Sequence, residues 1–206
     1  MTDHSSSAGG QRLNADQRRE RIIIAARHLF ARQGFHGTGV AQIAQMSGVK
    51  VGQLYRDFSG KEELIAAIVE RDLADLLDDP HLSDAVASGD PAQLNAWLRH
   101  FITRELDPES RSVLADIVAE TTRNPKIAAI LQTGYRRLES RLISAAFVWI
   151  PDPDKDEARR ELVELILTAG GAIQHRRIFG LPFGQVTVDK LMALIERELA
   201  LHRHGS

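Results

Sequence analysis

The chain has 206 residues, of which 43% are hydrophobic and only 5% aromatic, and it contains no cysteine. The lack of cysteine excludes disulfide bonds, thiolate metal sites and cysteine nucleophiles. No apolar run is long enough to span a membrane, and the N-terminus lacks the apolar segment of a signal peptide, so we expect a soluble, cytoplasmic protein without membrane contact.

The formal net charge of −2 argues by itself against nucleic-acid binding, but the charge is unevenly distributed. Residues 1–59 carry eight Lys and Arg against four Asp and Glu, a net charge of +4, which leaves −6 for the remainder. A basic N-terminal segment attached to an acidic body is typical of a DNA-binding protein with a separate sensing or pairing domain. Chance asymmetry is the alternative.

The first elements are a tail and a long helix. Residues 1–13 are polar and rich in serine and glycine, which predicts a disordered tail. Asn14 or Asp16 can cap a helix whose apolar residues recur at helical spacing until Gly34. Its other face carries four arginines that are candidates for phosphate contacts: Arg18, Arg19, Arg21 and Arg27.

Two short helices separated by a tight turn follow. Thr38 is the expected N-cap of the first, which covers roughly residues 40–46. Gly48 can adopt a positive φ in the turn, and the second helix covers roughly residues 50–55. Apolar residues on both sides of the turn, Ile43, Val49 and Leu54, can hold the pair together. This arrangement predicts a helix-turn-helix whose second helix enters the DNA major groove.

The next helix begins near Lys61. Either Ser59 with Glu62 forms its capping box, or Gly60 is the cap with Glu63 as its partner. Phe58 precedes the cap and is expected to pack inward.

This segment resembles the DNA-binding region of TetR-type transcriptional regulators. The residues that carry the resemblance are Thr38, Val40, Ile43, Ala44, Gly48, Val49, Gly52, Leu54, Tyr55, Phe58, Lys61, Glu62 and Leu64. With the preceding helix it covers about residues 15–70. The chain departs from the family pattern at Lys50, where serine or threonine is usual, and at Ser59-Gly60, where proline-serine is common.

The exposed side chains of the second short helix are candidate DNA contacts. Lys50 can donate to guanine, Gln53 can pair with adenine, and Val51 can touch a thymine methyl. The resemblance implies that Tyr55, Thr38 and Lys61 contact backbone phosphates. The alternatives are a partly buried core role for Tyr55 and a solvated lysine that contacts only phosphate for Lys50.

The remainder of the chain shows helical periodicity throughout. We expect an all-α protein of about nine helices, with a three-helix helix-turn-helix head over residues 14–60 and a larger helical body over 61–206. The helix from Lys61 extends to Pro80, and residues 78–90 are predicted to form a loop or a broken helix. Further helices start at Pro91, near Leu114 and at Pro125, and two long helices close the chain.

The last two helices, about 156–179 and 187–202, resemble the paired helices of the family's dimer interface, which implies a homodimer on an inverted-repeat operator. Two adjacent glycines in the middle of the first require close approach of another helix. The alternative is that both helices complete the monomer core. The candidate interface residues are Leu162, Ile166, Ala169, Gly170, Ile173, Leu191 and Ile195.

The resemblance also implies a repressor whose body binds a small apolar molecule and then releases DNA. Trp97, Phe101, Phe147 and Gln174 are the candidate pocket residues, although each fits an ordinary core or surface position. No GxSxG, P-loop, HExxH or dinucleotide motif is present, so we expect neither an enzyme nor a cofactor or metal. An all-helical interaction module, or a helical enzyme without DNA binding, is the alternative.

Overall fold

The structure is a computed structural model that describes residues 14–181 and 184–203, so the predicted disordered tail lies outside the described residues. Every regular element in these ranges is an α-helix, as predicted. There are ten: α1 (Ala15–Gly37), α2 (Val40–Ser47), α3 (Val51–Asp57), α4 (Lys61–Leu77), α5 (Pro80–Ser88), α6 (Pro91–Thr103), α7 (Pro108–Thr121), α8 (Pro125–Ala146), α9 (Asp156–Ile178) and α10 (Gln185–Arg203). Within these ranges no helix is both long and apolar enough to cross a membrane.

The helix beyond the nine that were expected is α5, which occupies the segment predicted as a loop or broken helix. The carboxylate of Asp79 accepts a hydrogen bond from the backbone N–H of His81, and Pro80 takes the first helical position. Leu82 and Ala85 are fully buried, which stabilises the helix by packing. Pro80 therefore begins a helix as well as ending α4, because proline suits the first turn, where its missing N–H costs nothing.

The helices pack around two hydrophobic clusters. The first, in the head, contains side chains of α1 to α4 and extends to Val113 and Ile117 of α7 and Ile127 of α8. The second fills the body between α5, α6, α8, α9 and α10. Because the first half of α4 and one face of α7 belong to the head cluster, the head is anchored well beyond residue 60.

The helix-turn-helix forms largely as predicted. Gly48 ends α2 with a φ of 69°, a backbone conformation that favours glycine. Ile43 and Leu54, on either side of the turn, are fully buried, and Val49 packs against them. Phe58 is 1% exposed, so the prediction that it packs inward is confirmed.

The caps around this motif differ in detail from the prediction. Thr38 is not the N-cap of α2, because Gly39 holds that position and its N–H donates to Gln42 Oε1 at 2.7 Å. The Thr38 hydroxyl instead turns back and donates to the Gly34 carbonyl at 2.8 Å. At α4 the second alternative is correct: Gly60 is the N-cap and Glu63 accepts the Ser59 N–H at 2.6 Å.

The head contacts the body mainly where α1 lies along α7. Gly34, with a φ of 73°, interrupts α1, and the freed N–H of Phe35 donates to Asp116 Oδ2 at 2.7 Å. Nearby, His36 Nε2 lies 3.0 Å from a carboxylate oxygen of the buried Glu120. The Ser112 hydroxyl donates to the Ala31 carbonyl at 2.9 Å. The interruption in α1 therefore supplies a backbone donor to the body.

Two arginines of α1 hold the C-terminal end of α3. Arg18 makes two hydrogen bonds to the Asp57 carboxylate, at 2.5 and 2.8 Å. Arg19 donates to the Asp57 carbonyl at 2.6 Å, and its guanidinium carbon lies 4.3 Å from the centroid of the Phe58 ring. Both arginines were candidates for phosphate contacts. They are instead occupied inside the protein, because the side chains of α1 and the end of α3 lie within bonding distance.

The hydrogen bonds from Arg18 hold the pKa of Asp57 below its ordinary value. Its carboxylate therefore stabilises the fold above the unfolded pKa of about 3.9, and this contribution is lost as the pH falls through the lower folded pKa. We expect Asp57→Asn to lower the free energy of unfolding by about 1–2 kcal/mol at pH 7, because the neutral amide offers Arg18 one acceptor oxygen where the carboxylate offers two charged ones.

Urea titrations at pH 7 and pH 3 test this prediction, since the difference between the variant and wild type must shrink at the lower pH. Asp72→Asn is the matched control, because the carboxylate of Asp72 pairs with Arg27 while remaining 47% exposed. We expect Asp72→Asn to lower the free energy of unfolding by at most about 0.5 kcal/mol. Equal losses in the two variants at pH 7 would contradict a special role for Asp57.

Candidate nucleic-acid interface

The seven-residue helix α3 has a buried face and an exposed face. Leu54 is fully buried under the head, whereas Val51 and Tyr55 are 42% and 54% exposed. Lys50, which precedes the helix as its N-cap, and Arg56 are also exposed. The exposure of Tyr55 argues against the alternative that it is a partly buried core residue.

Gln53 has a structural role that the sequence analysis missed. Its side chain is half-buried, and its Oε1 accepts a hydrogen bond from the Lys50 N–H at 3.1 Å. Glutamine at the third helical position commonly caps in this way, so the spacing of Lys50 and Gln53 held the signal. A bidentate contact with adenine uses the same oxygen, which has two lone pairs and can accept from adenine N6 as well as from the Lys50 N–H.

Thr38 and Lys61 do not present their side chains on this surface. Thr38 is 1% exposed. The Lys61 ammonium donates to the carbonyls of Phe35, at 2.6 Å, and Thr38, at 3.0 Å, and lies 4.4 Å from the Phe35 ring centroid. These two side chains tie α4 to the connection between α1 and α2. Their polar groups are engaged within the head in this structure, and their assignment as phosphate contacts stays a prediction.

The positive charge near α3 comes from Lys50, Arg56 and Arg21. Arg21 lies beside the turn, with Nη2 only 2.9 Å from the place where a β-carbon on Gly48 would stand. In the part of the chain that the structure describes, none of the three forms an ion pair within 4.0 Å. Met46, at the end of α2, is 48% exposed and adds apolar surface next to the turn, a feature that the sequence analysis overlooked.

The four predicted pocket residues of the body do not form one pocket. Trp97 and Phe101 stack with ring centroids 5.3 Å apart, and the Trp97 Nε1–H donates to Asp79. Gln174 donates to the Arg104 carbonyl at 3.1 Å. Phe147 is 44% exposed and lies beneath the Arg159 guanidinium, so it belongs to the surface.

A cleft of about 380 Å³ lies between α5 and α6. Its lining residues are His81, Asp84, Gln93, Ala96, Trp97 and His100. Of the predicted pocket residues it includes only Trp97, and most of its other side chains are polar.

Four of the predicted interface residues are buried within the protomer and pack its own core: Leu162, Ile166, Ile173 and Ile195. Gly170 is also buried, and the close neighbour predicted for it is Phe101 of α6, 3.4 Å from a β-carbon placed on the glycine. Helical periodicity thus identified the residues of α9 and α10 that face the protomer's own core. It did not identify the outward stripe, the apolar residues of the two helices that face away from that core. The outward stripe forms an open apolar groove of about 290 Å³ that includes Ala169, Ala172, Leu191 and Leu194.

Comparison with known proteins points to one family. Residues 22–68 match the family model "Bacterial regulatory proteins, tetR family". The transcriptional activator FasR of Mycolicibacterium smegmatis is 40% identical over 68 residues, which cover 33% of this chain and 31% of FasR. The transcriptional regulator UidR of Escherichia coli is 32% identical over 125 residues, which cover 57% of this chain and 59% of UidR. The chain thus spans between about a third and three fifths of these relatives. Their names are those of regulators, in agreement with the expectation that the chain is not an enzyme.

Solved structures extend the likeness to the whole fold. A TetR-family regulator from Mesorhizobium loti superposes with a TM-score of 0.72, covering 92% of this chain and 98% of the other at 19% identity, which shows the fold alone. Salmonella enterica GusR superposes with a TM-score of 0.67 over 91% of this chain and 98% of GusR, at 25% identity. In its DNA-binding segment, residues 22–68, and in its overall fold, the chain thus resembles the TetR family of bacterial regulatory proteins.

Proposed function

We propose that the protein is a sequence-specific DNA-binding transcriptional regulator that acts in the cytoplasm as a dimeric repressor and is released from its operator by a small molecule. The observation that carries this proposal is the exposed face of α3. Its opposite face is fixed by Leu54 and by the Arg18–Asp57 pair, so the helix is held rigidly while Lys50, Val51 and Tyr55 stay accessible. A short, rigidly held helix is what base recognition in the major groove requires.

The proposed contacts divide into two kinds. Lys50, Val51 and Gln53 are assigned to base edges, where lysine pairs with guanine, glutamine with adenine and valine with a thymine methyl. Tyr55 and Arg56 are assigned to backbone phosphates, which fix the register of the helix without selecting sequence. Thr38 and Lys61 support this surface from inside the head.

The proposed dimer forms through the outward stripe of α9 and α10. Leu194 is 59% exposed and Leu165 is 43% exposed, and the apolar groove between the helices faces outward. Gly171 lies on the exposed side of α9, with no atom within 4 Å of a β-carbon placed there, so a partner helix can approach closely. A two-fold dimer presents two copies of α3, which fits an inverted repeat with half-sites about 34–36 Å apart or a multiple of that distance.

Release requires a path from the body to α3. The contacts of α1 with α7, through Asp116 and Glu120, join the body to the helix that holds α3. A ligand that binds better when α7 is displaced would shift the population toward heads out of register with DNA. The cleft between α5 and α6 is the proposed site, and its polar lining favours a ligand with polar groups in addition to apolar surface.

The sign of regulation rests on a simple physical effect: a dimer that covers a promoter excludes polymerase. The relative FasR is named as an activator, so the family name alone does not fix the sign. The rate of transcription from the operator-bearing promoter, measured with and without the protein, distinguishes repression from activation.

A gel shift on promoter DNA tests the core of the proposal. We expect binding at low salt, with log affinity falling linearly with log salt by about 0.9 per phosphate contact. If the protein shifts no duplex at low salt, an interaction module without DNA binding becomes the better hypothesis.

The role of Gln53 can be separated into capping and base recognition. Gln53→Ala should cost about 1–3 kcal/mol of binding free energy at one base pair. Gln53→Glu preserves the cap, because glutamate also accepts from Lys50 N–H, but it lacks the amide donor that adenine N7 needs. We therefore expect both variants to lose preference for that base pair in titrations against single-base operator variants, and only the alanine variant to lose stability. A uniform loss of affinity across all operators would contradict the base contact.

The dimer surface has an equally direct test. Leu194→Asp places a charge on the outward stripe and should convert the dimer to a monomer in sedimentation velocity, because an unpaired buried charge is costly. Val118→Asp is the matched control, since Val118 is 44% exposed on α7, away from this stripe. The control should remain dimeric. A dimer that survives Leu194→Asp would exclude this surface as the interface.

A further inference from the structure

The glycines inside helices fall into two groups. Glycine is among the least favourable residues in a helix, so each one calls for a physical reason. For Gly134 the reason is packing within the protein, because a β-carbon there would lie 2.7 Å from Leu73 Cδ1. Gly170 has another, the Phe101 ring. In both places a neighbouring helix occupies the space of the missing side chain.

Gly52 of α3 has no such reason. No atom lies within 4 Å of a β-carbon placed on it, so an alanine would fit without displacing any neighbour. Its φ is not among the positive values found at four other glycines, so an L-residue can adopt its backbone conformation. Neither packing within the described chain nor backbone geometry explains a glycine in this seven-residue helix.

The surroundings of Gly52 indicate what the bare backbone serves. It is exposed and lies among Lys50, Val51, Tyr55 and Arg56, the accessible residues of the proposed DNA-binding face. Glycine is the residue that lets a ligand come close to the main chain. A side chain at this point would stand between the helix backbone and whatever that face binds.

We propose that Gly52 is the point of closest approach between the protein and DNA, and that its lack of a side chain sets how deeply α3 enters the major groove. This inference rests on the proposed DNA-binding function and assigns a positioning role within it. A methyl group at residue 52 pushes the helix outward, so Lys50 and Gln53 reach the base edges less well.

The test is Gly52→Ala, a change that favours the fold and disfavours binding. Its melting temperature should be unchanged or raised, by up to about 2–4 °C, because alanine favours the helix. Its affinity for a fluorescein-labelled duplex, selected by the wild-type protein from a random library, should fall about tenfold or more, as expected when a methyl is forced into a close-packed contact. Gly52→Ser, with a larger side chain, should lose at least as much affinity.

Ser140→Ala is the control, because Ser140 is an exposed residue in the middle of α8, distant in the sequence from α3. It increases helix propensity without altering the proposed DNA-binding face, and its affinity for the same duplex should equal that of wild type. If wild type binds and Gly52→Ala binds within about twofold of it, the positioning role is overturned while the proposed function stands. If wild type selects and binds no duplex, the proposed function itself fails.

Discussion

The placement of α3 depends on the charge-assisted hydrogen bonds between Arg18 and Asp57. A helix of seven residues is too short to be stable alone, so its position comes from tertiary contacts. Burial of Leu54 fixes one face of α3, and burial of Phe58, the residue that follows the helix, holds its far end. The two hydrogen bonds from Arg18 fix that end, and Arg19 closes the same site from the other side by bonding the Asp57 carbonyl. Together with the buried side chains of Leu54 and Phe58, these hydrogen bonds define the direction of the exposed face.

The same helix that supplies these arginines also meets the body, so α1 connects the two. Its N-terminal half carries Arg18 and Arg19, and its C-terminal end gives the Phe35 N–H to Asp116. The positive φ of Gly34 makes this possible, because it frees an N–H that a continuous helix would use internally. In the proposed function, a displacement of α7 would reach the end of α3 through the segment after Gly34, the helix before it and two sets of hydrogen bonds.

Sequence patterns predicted the helix-turn-helix well because its determinants are local: a glycine in the turn and apolar residues at fixed spacing. The Asp-Pro and Asn-Pro pairs at Pro91 and Pro125 were correctly predicted as helix starts. In contrast, Pro80 was taken as the end of a helix, and the helix that begins at Pro108 was predicted to start only near Leu114. All four helices begin alike, with a capping side chain before the proline. Sequence could not show which stripe of α9 faces inward, because Leu162 and Leu165 are both apolar. Only the position of α6 decides it.

Long-range pairing also changes the electrostatic argument for the head. The net charge of +4 over residues 1–59 suggested a broad basic surface, yet Arg18 and Arg27 are paired with Asp57 and Asp72. The charge left near α3 is smaller and more concentrated than the sum indicates. Few cations mean few released counterions, so a single head would bind DNA weakly. Two heads joined in a dimer add their contacts, because the second then binds at a high effective concentration. If the protein binds DNA as proposed, the internal use of arginine therefore favours pairing through the outward stripe of α9 and α10, in addition to the match with operator symmetry.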